Sequence, residues 1–137
     1  MQKDIKHPQV KDVGVAIIKE KNDSKTDFIY NVYLINFGNK IIENVLVSSK
    51  GYGENKSTGE QIKTSILRHT LGDVKANSFA KIEPIIENVF GLNNEYLISF
   101  FIANQMYDKK YVFLAESVSS THLIQVPLIN KLGVLIN

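Results

Sequence analysis

Five residues near the middle of the chain carry side chains that could bind a ligand or take part in catalysis. They are Lys50, Tyr52, Lys56, Arg68 and His69. Lysine and arginine suit anionic ligands, tyrosine offers an aromatic surface, and histidine changes its charge near neutral pH. Together they would form a binding or catalytic pocket for a small ligand. Neighbours on a strand point to opposite faces, so Arg68 and His69 can act as a pair only at a helix end or a bulge.

A glycine-containing run lies within this group and has some features of a phosphate-binding loop. The run is SSKGYGENKSTGE at 48–60. A phosphate-binding loop requires the pattern G-x-x-x-x-G-K-[ST] and a helix directly after it. Here Lys56 occupies the position of the second glycine, and no strand–helix–strand alternation surrounds the run. We therefore predict that the bend from Gly51 to Gly59 connects two strands at the rim of a sheet, with Tyr52 exposed or folded back over the edge.

Metal-binding and other catalytic chemistries have little support in the sequence. The chain has no cysteine, which excludes disulfides, thiolate nucleophiles and cysteine-based zinc sites. No two histidines have metal-ligand spacing, the three being His7, His69 and His122. Three glutamates, Glu83, Glu87 and Glu95, surround one predicted helical link, and their spacing singles out none of them as catalytic. We expect no metal site and no cofactor.

Composition and charge indicate an ordinary globular domain. The chain has 137 residues, of which 44% are hydrophobic and 22% are charged, so we expect one domain spanning 1–137 with one core. Its formal charge is +2, from fifteen lysines, a single arginine and fourteen acids. Few arginines and scattered lysines argue against nucleic-acid recognition.

The location of the protein is predicted from its apolar segments. The N-terminal residues MQKDIKHPQV lack the apolar core of a secretory signal. No stretch approaches the ~20 apolar residues that a membrane-spanning helix needs. We therefore expect a cytoplasmic protein with no membrane association.

Short runs of β-branched and aromatic residues predict strands in the first half of the chain. Strands are predicted at 13–20, 28–37 and 41–49, the second central because both its faces are apolar. The turn residues at 38–40 predict a hairpin between the second and third strands. Residues 61–71 fit a helix by apolar spacing but a strand by residue type, and the residue types favour a strand. A turn at 75–77 and a strand from Phe79 follow.

The second half of the chain predicts one short helical link and further strands. Residues 84–91 fit one or two helical turns, with proline first and glycine last. The run from Glu95 to Glu116 predicts a hairpin that reverses near 103–106. Residues 123–137 supply one or two strands, with Pro127 at an edge or a bulge. The seven or eight strands, mostly antiparallel, predict an all-β fold, an immunoglobulin-like two-sheet sandwich, with an open barrel as the alternative.

Six runs of the sequence resemble a family of small uncharacterised bacterial single-domain proteins. They are NVYLIN, ENVLVSSKGYGE, LRHTLGDV, FAKIEPI, FGLNNEY and YDKKYVFL. Some members of that family carry an automatic label as phenylalanyl-tRNA synthetase alpha subunit. The catalytic domain of that class is much longer than this chain and uses several arginines to hold ATP, whereas this chain has one. The resemblance therefore implies a single compact domain, and at most an association with the translation machinery.

These observations predict a non-enzymatic module that binds another protein or a second copy of itself. Pairing at a free strand edge uses backbone hydrogen bonds and needs no special residues, so it leaves little trace in a sequence. Two alternatives stay open. One is the small-ligand or catalytic pocket near the glycine run, Arg68 and His69, and the other is contact with RNA or the translation machinery.

Overall fold

The computed structural model describes residues 12–118 and 122–137, and these residues form an all-β structure. The strands are β1 (Val13–Lys21), β2 (Phe28–Asn36), β3 (Ile42–Glu54), β4 (Gln61–Lys63), β5 (Leu67–Val74), β6 (Ser78–Ile85), β7 (Asn93–Ile102), β8 (Gln105–Phe113), β9 (Ile124–Val126) and β10 (Lys131–Ile136). The predicted all-β class is confirmed. The helical link predicted at 84–91 is only a 3-10 turn, Glu87–Val89, because β6 extends through the proline to Ile85 and leaves too few residues for an α-helix.

The strands form two antiparallel sheets. Sheet A has the order β6-β2-β1-β10-β9, and sheet B has the order β4-β3-β7-β8, with β5 also paired to β3. The inner faces of the two sheets supply one core, which includes Ile17 and Leu34 of sheet A and Tyr96, Ile98 and Phe100 of sheet B. The outer face of sheet A carries a second, smaller buried cluster around Ile18 and Ile35. Strand β2 therefore buries both faces, as its apolar pattern predicts.

Four connections carry the chain from one sheet to the other, at β2–β3, β5–β6, β6–β7 and β8–β9. The predicted hairpin between β2 and β3 is therefore wrong, although 38–40 do reverse the chain direction. Asn36, which is buried at the end of β2, stabilises the crossing. Its Nδ2 donates to the carbonyl oxygens of Lys40, Val74 and Lys75 at 2.8, 3.1 and 3.1 Å, and its Oδ1 accepts from the Gly38 N–H at 3.0 Å. The side-chain amide of Asn36 thus links the β2–β3 connection to the β5–β6 connection.

The glycine run is strand in its first half, not a bend. Strand β3 continues to Glu54 and pairs with β7 and β4, and the chain reverses only at 55–60. A Cβ at Gly53 would lie 3.0 Å from Leu92 Cδ2, and one at Gly51 would lie 3.1 Å from Thr64 Cγ2. The glycines let these side chains pack onto the strand, so their role is close approach rather than turning.

Other sequence-based expectations agree with the described residues. Residues 61–71 contain β4 and β5 with a break between them, so the residue types predicted the strand correctly. The hairpin of β7 and β8 turns at Ala103 and Asn104, both with positive φ. Pro127 directly follows β9, an edge strand of sheet A. His7 lies outside the described residues.

Candidate functional site

A single carboxylate, that of Glu83, joins the two sheets at the open side between β6 and β5. Its Oε1 accepts hydrogen bonds from Ser49 Oγ at 3.0 Å and lies 2.7 Å from His69 Nε2. Its Oε2 accepts from the hydroxyl of Tyr96 at 3.0 Å. Glu83 is on sheet A, and its three partners are on β3, β5 and β7 of sheet B. The side chain of Glu83 is only 11% exposed, so these bonds compensate a largely desolvated charge.

A β-bulge turns Glu83 toward the interior. Val32 pairs with Glu83 and Tyr33 pairs with Lys81, which leaves Ile82 as one extra residue on β6. Residues opposite each other in a sheet share a face, so Glu83 points inward with Val32. Ile82 is also buried. Strict alternation would place these two neighbours on opposite faces, and the bulge removes that conflict.

Glu83 lies at the floor of a cleft that opens between the two sheets. The cleft has a volume of ≈ 280 Å³. Its walls are mainly apolar and include Leu67, Pro84, Ile86 and Val89. Ile86 and Leu67 are 64% and 51% exposed, so two large aliphatic side chains face solvent at the mouth. The cleft therefore combines apolar walls with a negatively charged floor.

Burial and the neighbouring carboxylate together suppress the ionisation of Tyr96. Burial, followed by the charge and hydrogen bond of Glu83, raises the pKa of Tyr96 far above its ordinary value. The phenol therefore stays protonated and remains a hydrogen-bond donor. Tyr96 is 1% exposed and is packed edge-on against Phe113 in the core.

The hydrogen bonds at this site do not activate a nucleophile. A catalytic serine requires a histidine that accepts its proton, with a carboxylate behind the histidine. Here the hydroxyl of Ser49 and the imidazole of His69 both bond directly to Glu83. The arrangement can hold a cation or position a polar group, and it lacks the proton relay of a hydrolase.

Four of the five residues predicted as a pocket lie on strands of sheet B, on different faces, and the fifth, Lys56, lies outside the strands. Arg68 and His69 are on opposite faces of β5, as strand geometry predicts, with His69 inside at Glu83 and Arg68 on the outer face beside Ser48. Lys50 contributes to the cleft lining. Its ammonium lies 3.7 Å from Glu95 and 5.9 Å from the centre of the Tyr52 ring. Lys56 is in the 55–60 reversal.

The most important residue of the cleft, Glu83, is not distinguished in the sequence from Glu87 and Glu95. Glu87 is exposed on the 3-10 turn, and Glu95 is on the outer face of β7 with Lys50 and Tyr52. The sequence feature that could have identified Glu83 is the run FAKIEPI. In this run an acidic residue follows an inward-facing isoleucine and precedes a proline. That combination is typical of an irregular edge strand.

A second carboxylate network stabilises the outer face of sheet A. Glu20 Oε1 accepts from Asn31 Nδ2 at 2.6 Å and from the Tyr33 hydroxyl at 2.7 Å, and Oε2 accepts from Lys131 Nζ at 2.7 Å. Burial raises the pKa of Glu20, but the hydrogen bonds from Lys131, Tyr33 and Asn31 lower it by more. The pKa therefore lies below its ordinary value of 4.5. This network joins β1, β2 and β10.

The longest free strand edge in the described part of the chain belongs to β8. This nine-residue strand pairs with β7, and no other described strand pairs with it. Its outward-facing side chains are Met106, Asp108, Lys110 and Val112, and Met106 is 56% exposed. Short strands form two of the other edges, β4 and β9, with three residues each, and the eight-residue β5 forms a further edge that lies against β6. Strand β6 carries a proline and a bulge, which both weaken an edge for pairing.

Comparison with known proteins adds no functional information. No protein-family model matches the chain, and no curated protein matches it either. Residues 12–118 and 122–137 contain no helix long and apolar enough to cross a membrane. Within those same ranges, no group of three histidines or acids has the geometry to hold a metal ion. The functional assignment therefore rests on the geometry of the chain itself.

Proposed function

We propose that the protein is a non-enzymatic interaction module in which the free edge of β8 pairs with β8 of a second copy. The observation that carries the proposal is the order of charges on β8, QMYDKKYVF, on a strand that pairs with one neighbour among the described residues. Backbone hydrogen bonds along a free edge supply affinity, and the side chains select the register. The predicted cytoplasmic location is part of the same proposal.

The charge order favours one antiparallel register. If Lys109 lies on the two-fold axis, Asp108 lies directly opposite Lys110 of the second copy, and the same pair forms again across the axis. Met106 then lies opposite Val112 of the second copy. Opposite charges and apolar pairs in directly opposed positions stabilise a sheet by roughly 0.2–1 kcal/mol each. Registers centred on Asp108 or Lys110 place like charges face to face.

One contact in this register is unfavourable. Lys109 faces its own copy across the axis, and like charges in that position are destabilising. The Lys109 ammonium lies 5.0 Å from the centre of the Tyr111 ring, which holds the charge beside an aromatic face. The pair of lysines at the two-fold axis keeps the association weak and reversible. It also disfavours pairing with unrelated strand edges.

The finer assignment of the fold, an immunoglobulin-like sandwich, is also proposed. In that fold the first, second and fifth strands of the domain neighbour one another as A-B-E, and the third, sixth and seventh as C-F-G. Here β1-β2-β6 and β3-β7-β8 have the same neighbour order. Strand β5 beside β3 corresponds to the additional strand of variable-type domains, and β9 and β10 extend the A side. The β8 edge then corresponds to the edge of strand G.

Charge reversal provides a direct test of the β8 pairing. Sedimentation velocity over roughly 10 μM to 1 mM protein measures the dissociation constant of the dimer. Asp108→Lys and Lys110→Asp should each weaken the dimer about tenfold or more, because each creates two like-charge contacts. The double variant D108K/K110D should restore dimerisation, because the two contacts re-form with their signs exchanged.

A matched control is available at the opposite edge of the same sheet. Lys63 is exposed on β4, and Lys63→Asp makes the same change in net charge as Lys110→Asp. We expect K63D to leave the dissociation constant unchanged within about twofold. A wild-type protein that stays monomeric over the whole range, or a double variant that stays as weak as the single ones, would show that β8 does not pair in this way.

A further inference from the structure

We infer that the cleft between β6 and β5 is a binding site for a primary ammonium group on an aliphatic stem. A small alkylamine and a lysine side chain share this chemistry. The cleft lies on the side of sheet B opposite the β8 edge. The inference is therefore independent of the dimer proposed above.

The floor of the cleft supplies the charge and a free acceptor position. Glu83 is the acidic residue in the cleft lining, and the ammonium group of Lys50, which also borders the cleft, is paired with Glu95 at 3.7 Å. Oε1 of Glu83 already has two partners, Ser49 and His69, whereas its Oε2 accepts one hydrogen bond, from Tyr96. Each carboxylate oxygen has two lone pairs, so Oε2 has room for one more donor. An ammonium group has three donors and a compact charge, which suits that position.

The partners of Glu83 leave the carboxylate oriented before any ligand arrives. Ser49 and Tyr96 are held in the core at 5% and 1% exposure. Their hydroxyl groups donate to opposite oxygens of Glu83 and fix the plane of the carboxylate. A preorganised acceptor spares the ligand the entropy of ordering that side chain. Charge-assisted hydrogen bonds to such a group are stronger than neutral ones.

The walls of the cleft fit an aliphatic stem rather than a hydrated ion. Leu67, Ile86, Pro84 and Val89 all line the cleft, and the first two are more than half exposed. A bare metal cation prefers several oxygen ligands, and the cleft offers one carboxylate. Planar guanidinium groups require two open carboxylate oxygens for a bidentate contact, and Oε1 is already occupied. A narrow aliphatic amine can pack its stem against the apolar walls and donate hydrogen bonds to the Glu83 carboxylate.

Nuclear magnetic resonance titration tests the inference with two isosteric probes. Butylammonium chloride and 1-butanol have the same stem and differ in charge. We expect butylammonium to shift the amide signals of Ser49, Gly51, Glu83 and Ile86 saturably, and 1-butanol to bind at least about tenfold more weakly. Equal binding of the two probes would overturn the inference, because the apolar walls alone would then explain it. Absence of saturable shifts would overturn it as well.

Two variants distinguish the contribution of the Glu83 charge to binding from that of the apolar walls. Glu83→Gln keeps the shape of the side chain and should weaken butylammonium binding about tenfold. Glu87→Gln removes the same charge from an exposed residue that does not line the cleft, and it should change affinity by less than about twofold. Equal losses in both variants would indicate attraction by net charge and would overturn the inference.

A second variant keeps the test decisive if Glu83→Gln does not fold. Ile86 is 64% exposed, so Ile86→Ala should preserve the fold while removing a wall of the cleft. It should weaken binding about threefold, through lost contact with the stem. Unchanged affinity in this variant would overturn the proposed location.

The two sources of the ammonium group are distinguished by a peptide. Gly-Lys-Gly, blocked at both termini, presents the same group from a polypeptide. Tighter binding of this peptide than of butylammonium assigns the site to a lysine side chain of a partner protein. Weaker binding assigns it to a free alkylamine.

Discussion

The Nε2 atom of His69 lies 2.7 Å from Oε1 of Glu83, and this contact joins β5 of one sheet to β6 of the other. Ser49 and Tyr96 bond to the same carboxylate, so four strands meet at one side chain. Glu83 also lines the cleft between β6 and β5. The contact therefore links the joining of the two sheets to the chemistry of that cleft.

Removal of the Glu83 carboxylate should destabilise the protein more than removal of any one partner. Glu83→Ala leaves three donors without an acceptor, and we expect a loss of roughly 2–4 kcal/mol in the free energy of unfolding. Tyr96→Phe or His69→Ala should each lower it by about 1 kcal/mol. Urea denaturation measures these changes, with Glu87→Gln as the exposed control. If Glu83→Ala lowers the free energy of unfolding no more than Tyr96→Phe does, water accepts the hydrogen bonds in place of the carboxylate.

The Glu20 network predicts a stability that falls in acid. The folded-state pKa of Glu20 lies below 4.5, so the unfolded chain binds this proton more readily. The stabilisation is fully present above pH 4.5 and is lost as pH falls through the folded-state value. Urea denaturation at descending pH should show this loss in the wild type. The contribution should be absent in Glu20→Gln, which is itself less stable by about 1–2 kcal/mol at neutral pH.

Lys131→Met provides the matched variant for that experiment. It removes one of the three donors to Glu20, so the loss of stability in acid should become smaller without disappearing. An acid profile in Glu20→Gln identical to that of the wild type would assign the acid sensitivity to other carboxylates.

Gly133 is required where β10 approaches β1. A Cβ at this position would lie 2.3 Å from the carbonyl oxygen of Ile17 and 2.8 Å from Ile18 Cδ1. Backbone cannot move aside without separating the two strands, so Gly133→Ala should cost roughly 2–4 kcal/mol. At Gly53 the corresponding neighbour is the end of the flexible Leu92 side chain, at 3.0 Å. Gly53→Ala should therefore cost less than about 1 kcal/mol, and thermal unfolding of both variants compares them.

The buried amide of Asn36 should not tolerate a carboxylate. Asn36→Asp replaces the donor that bonds to Lys40, Val74 and Lys75 with an oxygen facing three carbonyl oxygens. We expect a loss of roughly 3–5 kcal/mol near neutral pH, larger than the loss in Asn36→Ala. Equilibrium denaturation checks the order of the two variants. A smaller loss in the aspartate variant would contradict the assigned orientation of the amide.

The β7–β8 turn offers a stabilising substitution. Ala103 has φ 49° and Asn104 has φ 68°, the pattern of a two-residue type I′ turn. A positive φ at alanine costs of order 1 kcal/mol, so Ala103→Gly should raise the stability by roughly 0.5–1 kcal/mol. Ala115 is exposed in a turn without a positive φ, and Ala115→Gly should not stabilise the protein. The midpoints of thermal unfolding distinguish the two variants.

The alternation of apolar and polar residues predicts most strands correctly, and it fails at the irregular ones. The alternation in β2, β7 and β8 predicts both their faces and the β7–β8 turn, because side chains on a regular strand repeat every two residues. The same rule separates Arg68 from His69. It fails at Ile82, where one inserted residue turns Glu83 inward. A bulge is set by the pairing with β2, so β6 considered alone carries only a weak signal of it.

Turn chemistry identified where the chain reverses but not which strand follows. The residues at 38–40 turn the chain in either case, and the three carbonyl bonds of Asn36 favour a crossing to the other sheet. Those partners lie far apart in sequence, so local propensity does not reveal them. Local propensity likewise predicts that the glycines at 51 and 53 are turn residues. Their function depends on Thr64 and Leu92, which reach the strand only in the folded protein.

The pairing of β1 with β10 has a consequence for biosynthesis. Strand β1 has β2 on one side and β10 on the other, and β10 ends at Ile136. Until β10 has been synthesised, the side of β1 that β10 will occupy is a row of backbone donors and acceptors without partners. Sheet A is completed only after β10 has left the ribosome. A nascent chain that stops before Lys131 would therefore present an unpaired strand edge that is prone to aggregation.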